Sequence, residues 1–275
     1  MAFSVNTNAS AFAALYSLNQ TNSALEVTQR RINTGLKVES AGDDAATYAI
    51  AQKMRGDLAG LNAVKSSLDR AISTLDVAVA AGEAVSDLLN EMKEKAVAAK
   101  DTGIDTASRN ALNGDFKELR DQITSIVDNA EFNGTNAVNS TGSDIVAITN
   151  DDASNTITIA AQNLSLGGSI VTLSDTQEIA TATTAAAALT AVSASAENVT
   201  SALSALGAGA KRLEIQRDFV GKLSDVIEVG IGNLVDADLA KESATLQALQ
   251  VKQQLGLQAL SIANQSPGAV LGLFQ

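Results

Sequence analysis

The chain has 275 residues and a net charge of −12, from 19 Lys and Arg against 31 Asp and Glu. It therefore lacks the basic patch that nucleic acid or an anionic membrane surface attracts. It has neither Cys nor His, which removes imidazole and thiol catalysis, thiolate metal sites and disulfides together. Hydrophobic residues reach 45% but aromatic ones only 3%, a balance that predicts narrow cores between helices rather than one wide core.

The N-terminus, MAFSVNTNASAFAALYSLNQ, has no basic n-region and no continuous apolar stretch, so no standard secretory signal is expected. No apolar run approaches the roughly 18 residues of a membrane span, so no membrane insertion is expected. No side chain from Met1 to Leu25 is charged, and the only charge from Ser243 to Gln275 is Lys252. Two charge-poor ends on an acidic chain predict that the termini share one environment.

The first helix is predicted from the seam Leu15, Leu18, Asn22, Leu25, Gln29, Ile32 and Leu36, ending near Thr34-Gly35. After the link GLKVESAGDDAA, Asp43 or Asp44 is expected to cap a helix beginning near Ala45. Leu58, Leu61, Val64, Leu68, Ile72, Leu75, Val79, Val85, Leu89 and Met92 carry that helix to about Lys100, where Asp101-Thr102-Gly103 breaks it. A further helix carries Leu112, Phe116, Leu119, Ile123 and Ile126 and stops before EFNGTN. From Asn133 to about Thr176 charges thin and Thr, Ser, Asn and Gly rise. Asn133-Gly134 is a turn signal, and 155–159, 164–166 and 170–173 read as short strands.

An Ala-rich helix then resumes, its seam running through Leu189, Val192, Ala196, Val199, Leu203, Leu206, Ala210, Leu213, Arg217, Val220, Ser224, Ile227, Ile231 and Leu234. Asp236 offers the next N-cap, and the last helix is expected to reach about Gln265, before Pro267. On a helical wheel Leu246, Leu249, Leu257 and Leu260 gather on one side. Ala248, Val251, Leu255, Ala259 and Ile262 gather on the other. One partner helix covers one stripe, so the second stripe calls for a further partner. The absence of charge favours copies of the same chain, because in a homopolymer a buried charge meets its own kind. As free chains, residues 1–29 and 248–275 are expected to be disordered and to become helical on assembly. The interruptions Asn22, Gln253 and Gly256 are expected to permit more than one packing register.

The predicted fold is mainly α: an elongated antiparallel coiled-coil-like bundle built from both chain ends, with a small β-rich insert in the middle. The expected division is 1–40 with 236–275 as paired terminal helices, 41–137 with 177–235 as a helical rod, and 138–176 as an outer insert. Its polar residues form no convergent set for catalysis, a cofactor or a metal, so a structural protein and not an enzyme is expected.

Four blocks, Arg30 to Met54 (RRINTGLKVESAGDDAATYAIAQKM), Ala130 to Val138 (AEFNGTNAV), Leu234 to Gln254 (LVDADLAKESATLQALQVKQQ) and Ala259 to Phe274 (ALSIANQSPGAVLGLF), make the sequence resemble a bacterial flagellin over nearly its whole length. The resemblance implies a self-assembling subunit of the extracellular flagellar filament, used for swimming and exported unfolded through the flagellar type III apparatus. Its implied partners are identical or sister subunits, an export chaperone, and the cap and junction proteins. A hook–filament junction protein shares the same terminal chemistry and is the alternative, with a secreted helical translocator behind it. One stretch departs from family members that the vertebrate innate immune receptor recognises: in NEMKEKAVA, Asn90 to Ala98, Glu91 stands where those proteins have Arg and Lys95 where they have Leu.

Overall fold

The structure, a computed structural model, describes residues 7–271, with side chains to Gln265. The outermost parts of both charge-poor ends, 1–6 and 272–275, lie outside the described residues. Long helices come from both ends of the chain: α1 (Ala9–Thr34), α2 (Ala45–Lys100), α3 (Thr106–Asn129), α4 (Ala182–Val235) and α5 (Leu239–Leu271). Short strands occupy the middle: β1 (Glu131–Phe132), β2 (Thr135–Asn136), β3 (Ile145–Ile148) and β4 (Thr156–Ile159). The chain packs as two compact units, one of residues up to Gly56 with those from Val226 on, the other of Asp57–Asp225.

In the unit Asp57–Asp225, α2 buries Leu61, Val64, Leu68, Ala71, Leu75, Ala78, Val85, Leu89, Met92, Ala96 and Ala99, alternating steps of three and four with Gly82 filling the one gap. Helix α4 answers with Ala185, Ala188, Val192, Ser195, Val199, Ala202, Leu206, Leu213 and Val220. Their antiparallel course is fixed by Arg217 donating to Asp69 and by Leu203 seated over Gly82. At alternate positions the seam lies one residue from its expected place: Ala71 and Ala78 are buried rather than Ile72 and Val79, and Ala188 and Ala202 rather than Leu189 and Leu203. Arg217 is exposed. The larger side chains flank the contact while alanines occupy it, which lets the backbones approach closely. Helix α3 runs back along α2, tied by Lys95 to Asp115 at 2.8 Å and by Arg109 Nε to the Ala99 carbonyl at 3.0 Å.

The insert is held by helix side chains more than by its own ladder. Asn133 and Gly134, at φ 50° and 80°, turn the β1–β2 hairpin, the left-handed pair that a two-residue connection requires. Asn136 then donates to the Val127 carbonyl at 2.8 Å and accepts from the Val138 and Asn139 amides. Strands β3 and β4 pair antiparallel, Ile145 opposite Ile159 and Ile148 opposite Thr156, and bury Ile145, Ala147, Ile157 and Ile159 on one face.

The expected strands at 164–166 and 170–173 do not form. Thr172 donates its N–H to Ser195 Oγ at 3.0 Å, and the Ile170 carbonyl accepts from Asn198 Nδ2 at 3.1 Å. Side chains of α4 thus satisfy the backbone that a partner strand would otherwise take up. Likewise Ile148 donates to Ser67 of α2, and Ile179 donates to the buried Asn113 of α3 at 2.7 Å.

Gly60 of α2 receives the turn after β3: a Cβ there would lie 2.9 Å from both the Asp151 carbonyl oxygen and its Cβ. Gly207 of α4 faces open space. Gly60→Ala is therefore expected to destabilise this unit by about 1–3 kcal/mol through overpacking. Gly207→Ala is expected to stabilise it by roughly 0.5–1 kcal/mol through backbone entropy alone. Urea unfolding of the two variants checks the opposite signs.

Candidate assembly surface

The other unit is built around the antiparallel pair α1 and α5. Asn8 caps α1 by accepting from the Ala11 amide at 3.1 Å, and Gly35 at φ 72° closes it, donating to the Arg31 carbonyl at 2.9 Å. The left-handed geometry at Gly35 is the usual glycine stop. The chain following α1 then meets the chain preceding α5: Lys37 donates to the Val235 carbonyl at 2.6 Å, and Ala237 to the Gly35 carbonyl at 2.8 Å. Leu36 and Asp236 form a bridge there.

The acidic caps divide their work. Asp44 caps α2, accepting from the Ala46 and Thr47 amides at 3.0 and 3.1 Å. Asp43 does not cap the helix. It reaches back instead, accepting from the Glu39 and Ser40 amides and the Ser40 hydroxyl, with Arg30 at 3.8 Å. Asp236 is also not a cap: its backbone is used in the bridge to Leu36, and Asp238, two residues on, accepts from the Ala240 and Lys241 amides.

The seam of α1 runs through Ala11, Ala14, Leu18, Thr21, Leu25, Thr28 and Ile32, with Leu18 and Thr28 buried and the others half-buried. On α5 the half-buried line is Glu242, Leu246, Leu249, Gln253, Gly256, Leu260 and Ala263. Leu18 sits on Gly256, where a Cβ would approach its Cδ1 to 3.2 Å. Among the described residues, polar contacts that cross the pair include Arg31 to Glu242 at 3.1 Å, Gln253 to Asn22 at 2.8 Å, and Asn8 to the Ala263 carbonyl at 2.6 Å. Asn22, Gln253 and Gly256 are thus engaged within the chain.

The expected placement of two leucines is corrected here. Leu15 lies at the exposed edge because Ala14 takes the contact, and Leu257 faces outward because Gly256 takes it. With them an uncovered apolar surface emerges on both helices. Phe12 and Tyr16 lie beside Leu15 on α1, and Val251, Leu255, Leu257 and Ile262 line α5. Tyr16 is 74% exposed and Ile262 70%. The aliphatic seam expected for α1 omits Phe12 and Tyr16, although their spacing to Leu15 marks them as part of this surface. Helix α5 also continues through Pro267 to Leu271 instead of ending near Gln265.

Elsewhere, Lys95 is drawn into its ion pair with Asp115, whose hydrogen bond holds the ammonium above its ordinary pKa, and Glu91 is exposed. No cluster of metal-ligating residues occurs among the described residues, and none of their helices is long and apolar enough to cross a membrane.

Residues 5–143 match the family model of the bacterial flagellin N-terminal helical region, and residues 189–274 that of the C-terminal helical region. Flagellin FljM of Caulobacter vibrioides is 48% identical over 99% of this chain and 98% of the relative; FljN of the same organism is 50% identical over 99% and 98%. Flagellin C of Rhizobium meliloti is 34% identical over 99% of both chains. Among solved structures, a Vibrio parahaemolyticus protein described as flagellar hook-associated shares the fold, with a TM-score of 0.60 at 14% identity, over 70% of this chain and all of the other.

Hydrogen bonds from the Thr47 backbone and hydroxyl hold the Asp44 carboxyl below its ordinary value of 3.8, and those from Ser40 do the same for Asp43. A depressed folded pKa stabilises above the unfolded value, and that contribution is lost as pH falls through the folded one. The protection of the Ala46 and Thr47 amides against exchange, relative to the unfolded rate at the same pH, is therefore expected to hold at about pH 5 and to fall below about pH 4. Asp44→Asn, which caps without ionising, is expected to remove this acid dependence.

Proposed function

This chain belongs to the bacterial flagellin family, the structural subunits of the extracellular flagellar filament, and we propose that the outer face of its paired terminal helices joins it to further copies of itself. The observation that carries this reading is the uncovered apolar surface of Phe12, Leu15 and Tyr16 on α1 and of Val251, Leu255 and Ile262 on α5, with Leu257 exposed at the edge of the seam. It lies on a helix pair whose other stripe is already occupied. An exposed surface of this kind is a mark of an interaction site. Each large side chain that becomes fully buried contributes about 1.5–3 kcal/mol, so several together hold a subunit firmly. The patch on one subunit meets a different patch on the next, an arrangement that leaves growth open-ended and helical.

In this reading the insert faces outward. The subunit leaves the cell unfolded by flagellar type III export, escorted by a chaperone, and is placed between the junction and cap proteins. Its terminal helices are disordered until neighbours cover them. A filament subunit is favoured over a junction protein because near-full-length identity of 48–50% links the chain to flagellins. The likeness to the hook-associated protein is one of fold alone.

Leu255→Glu and Ile262→Lys place charge on the outer face of α5 without touching its contact with α1. Both are expected to abolish filaments seen by electron microscopy while leaving the melting of the Asp57–Asp225 unit unchanged. Normal filaments from either variant contradict the assignment. The same family context extends to the receptor stretch: with Glu91 exposed and Lys95 engaged by Asp115, purified monomer is expected to give little or no innate immune receptor signalling in a reporter-cell assay. Robust signalling contradicts that part.

A further inference from the structure

Pro267 lies within α5, four residues after Ala263. In an uninterrupted helix the N–H of residue 267 donates to the carbonyl of residue 263, but proline has no N–H to give. The carbonyl deprived of its helical donor is the one that receives Asn8 Nδ2, at 2.6 Å. The other end of the same amide accepts from the Ala11 N–H at 3.1 Å and the Ser10 hydroxyl at 2.7 Å, closing the first turn of α1. One side chain thus completes two helices at once: the beginning of α1 and the interruption in α5.

The geometry points to Asn8 as a positioning residue that locks the register of α1 against α5 through the carbonyl that Pro267 releases. Apart from Leu18 on Gly256, the apolar part of the seam is mostly Ala, Leu and Thr at three-four spacing, a pattern that nearly repeats when one helix slides by seven residues. The Asn22–Gln253 and Arg31–Glu242 contacts join long side chains, which follow a small slip by changing rotamer. A backbone carbonyl does not. After a slip of one turn Asn8 faces carbonyls such as that of Ala259 or Leu260, which already have a donor from the helix ladder and gain less from a second one. Only in the observed register does the amide meet the acceptor that lacks its own donor. The lock therefore fixes how far along the pair the outer residues of α1, Phe12 and Tyr16, are offset from those of α5, Leu255 and Ile262. It rests on the reading that this pair is the assembly surface.

The residue type fits the task. Serine ranks with asparagine as an N-cap, but it is too short to reach across and carries no amide. Aspartate caps equally well, yet sets a carboxylate against a carbonyl oxygen.

A double-mutant cycle tests the lock on the full chain, read as the critical concentration for seeded polymerisation. Asn8→Ser keeps the cap and removes the cross-helix donor; it is expected to raise the critical concentration roughly five- to tenfold. Pro267→Ala returns an N–H to position 267, which takes the Ala263 carbonyl. This variant is expected to polymerise, and in its background Asn8→Ser is expected to cost less than about twofold, a coupling that a capping role alone does not produce. Asn8→Ala, which removes the cap as well, is expected to cost more than Asn8→Ser in both backgrounds. An equal effect of Asn8→Ser in the two backgrounds, no effect in the native one, or failure of Pro267→Ala to polymerise overturns the lock. Failure of the unmodified chain to polymerise contradicts the filament reading instead.

Discussion

A helix pair covers only one stripe of each member, and this constraint governs the terminal unit. Leu18 settles on Gly256, small residues bring α1 and α5 close, and the contact is complete. A narrow seam of that kind cannot also hide Phe12, Tyr16, Leu255 and Ile262, which point the other way. The charge depletion of both ends has its physical reason here. A helix meant to stay solvated on its outer face carries Lys and Glu there; these two carry aliphatic and aromatic side chains. On the proposed reading, copies of the same chain supply the missing cover.

The other unit solves a different problem with the same residue economy. Alanines and Gly82 in the α2 and α4 seams allow close helix contact, and other glycines of the same helices seat the insert: Asp151 on Gly60 and Ile159 on Gly209. Buried polar side chains then finish what the short strands leave undone. Ser67, Asn113 and Ser195 each accept from an insert backbone amide. An unpaired buried amide is costly, so these side chains fix where each insert segment lies. The insert keeps its shape with only two short hairpins because the helices provide its hydrogen-bonding partners.

Much of this was legible in the sequence. The ends of α1 and α2 followed from Gly35 and the Asp43-Asp44 pair, and the β1–β2 turn from Asn133-Gly134, because caps and left-handed turns are local chemistry. The seams were legible in period but not in phase. Apolar size favoured Ile72, Leu189, Leu15 and Leu257, whereas close packing favours the neighbouring Ala71, Ala188, Ala14 and Gly256, and that preference exists only once two helices meet. The loops at 164–173 looked like strands because alternation reports burial and not pairing; the Ser195 and Asn198 side chains that replace the partner strand are distant in sequence. Asp238 took the cap expected of Asp236 because the bridge to Leu36 engages the earlier residue, a contact between chain segments some two hundred residues apart. Pro267 signalled a helix end, but the partner that accommodates it, Asn8, lies at the opposite terminus.

On the proposed reading, the terminal helices are stable only when other copies cover their outer face. Removing residues 246–275, the body of α5 and the segment beyond it, tests it most directly, with electron microscopy of the purified chain seeded by filament fragments. The shortened chain is expected to stay soluble and add no length to the seeds, while the full chain elongates them. Seeds that grow into ordinary filaments from the shortened chain would contradict it.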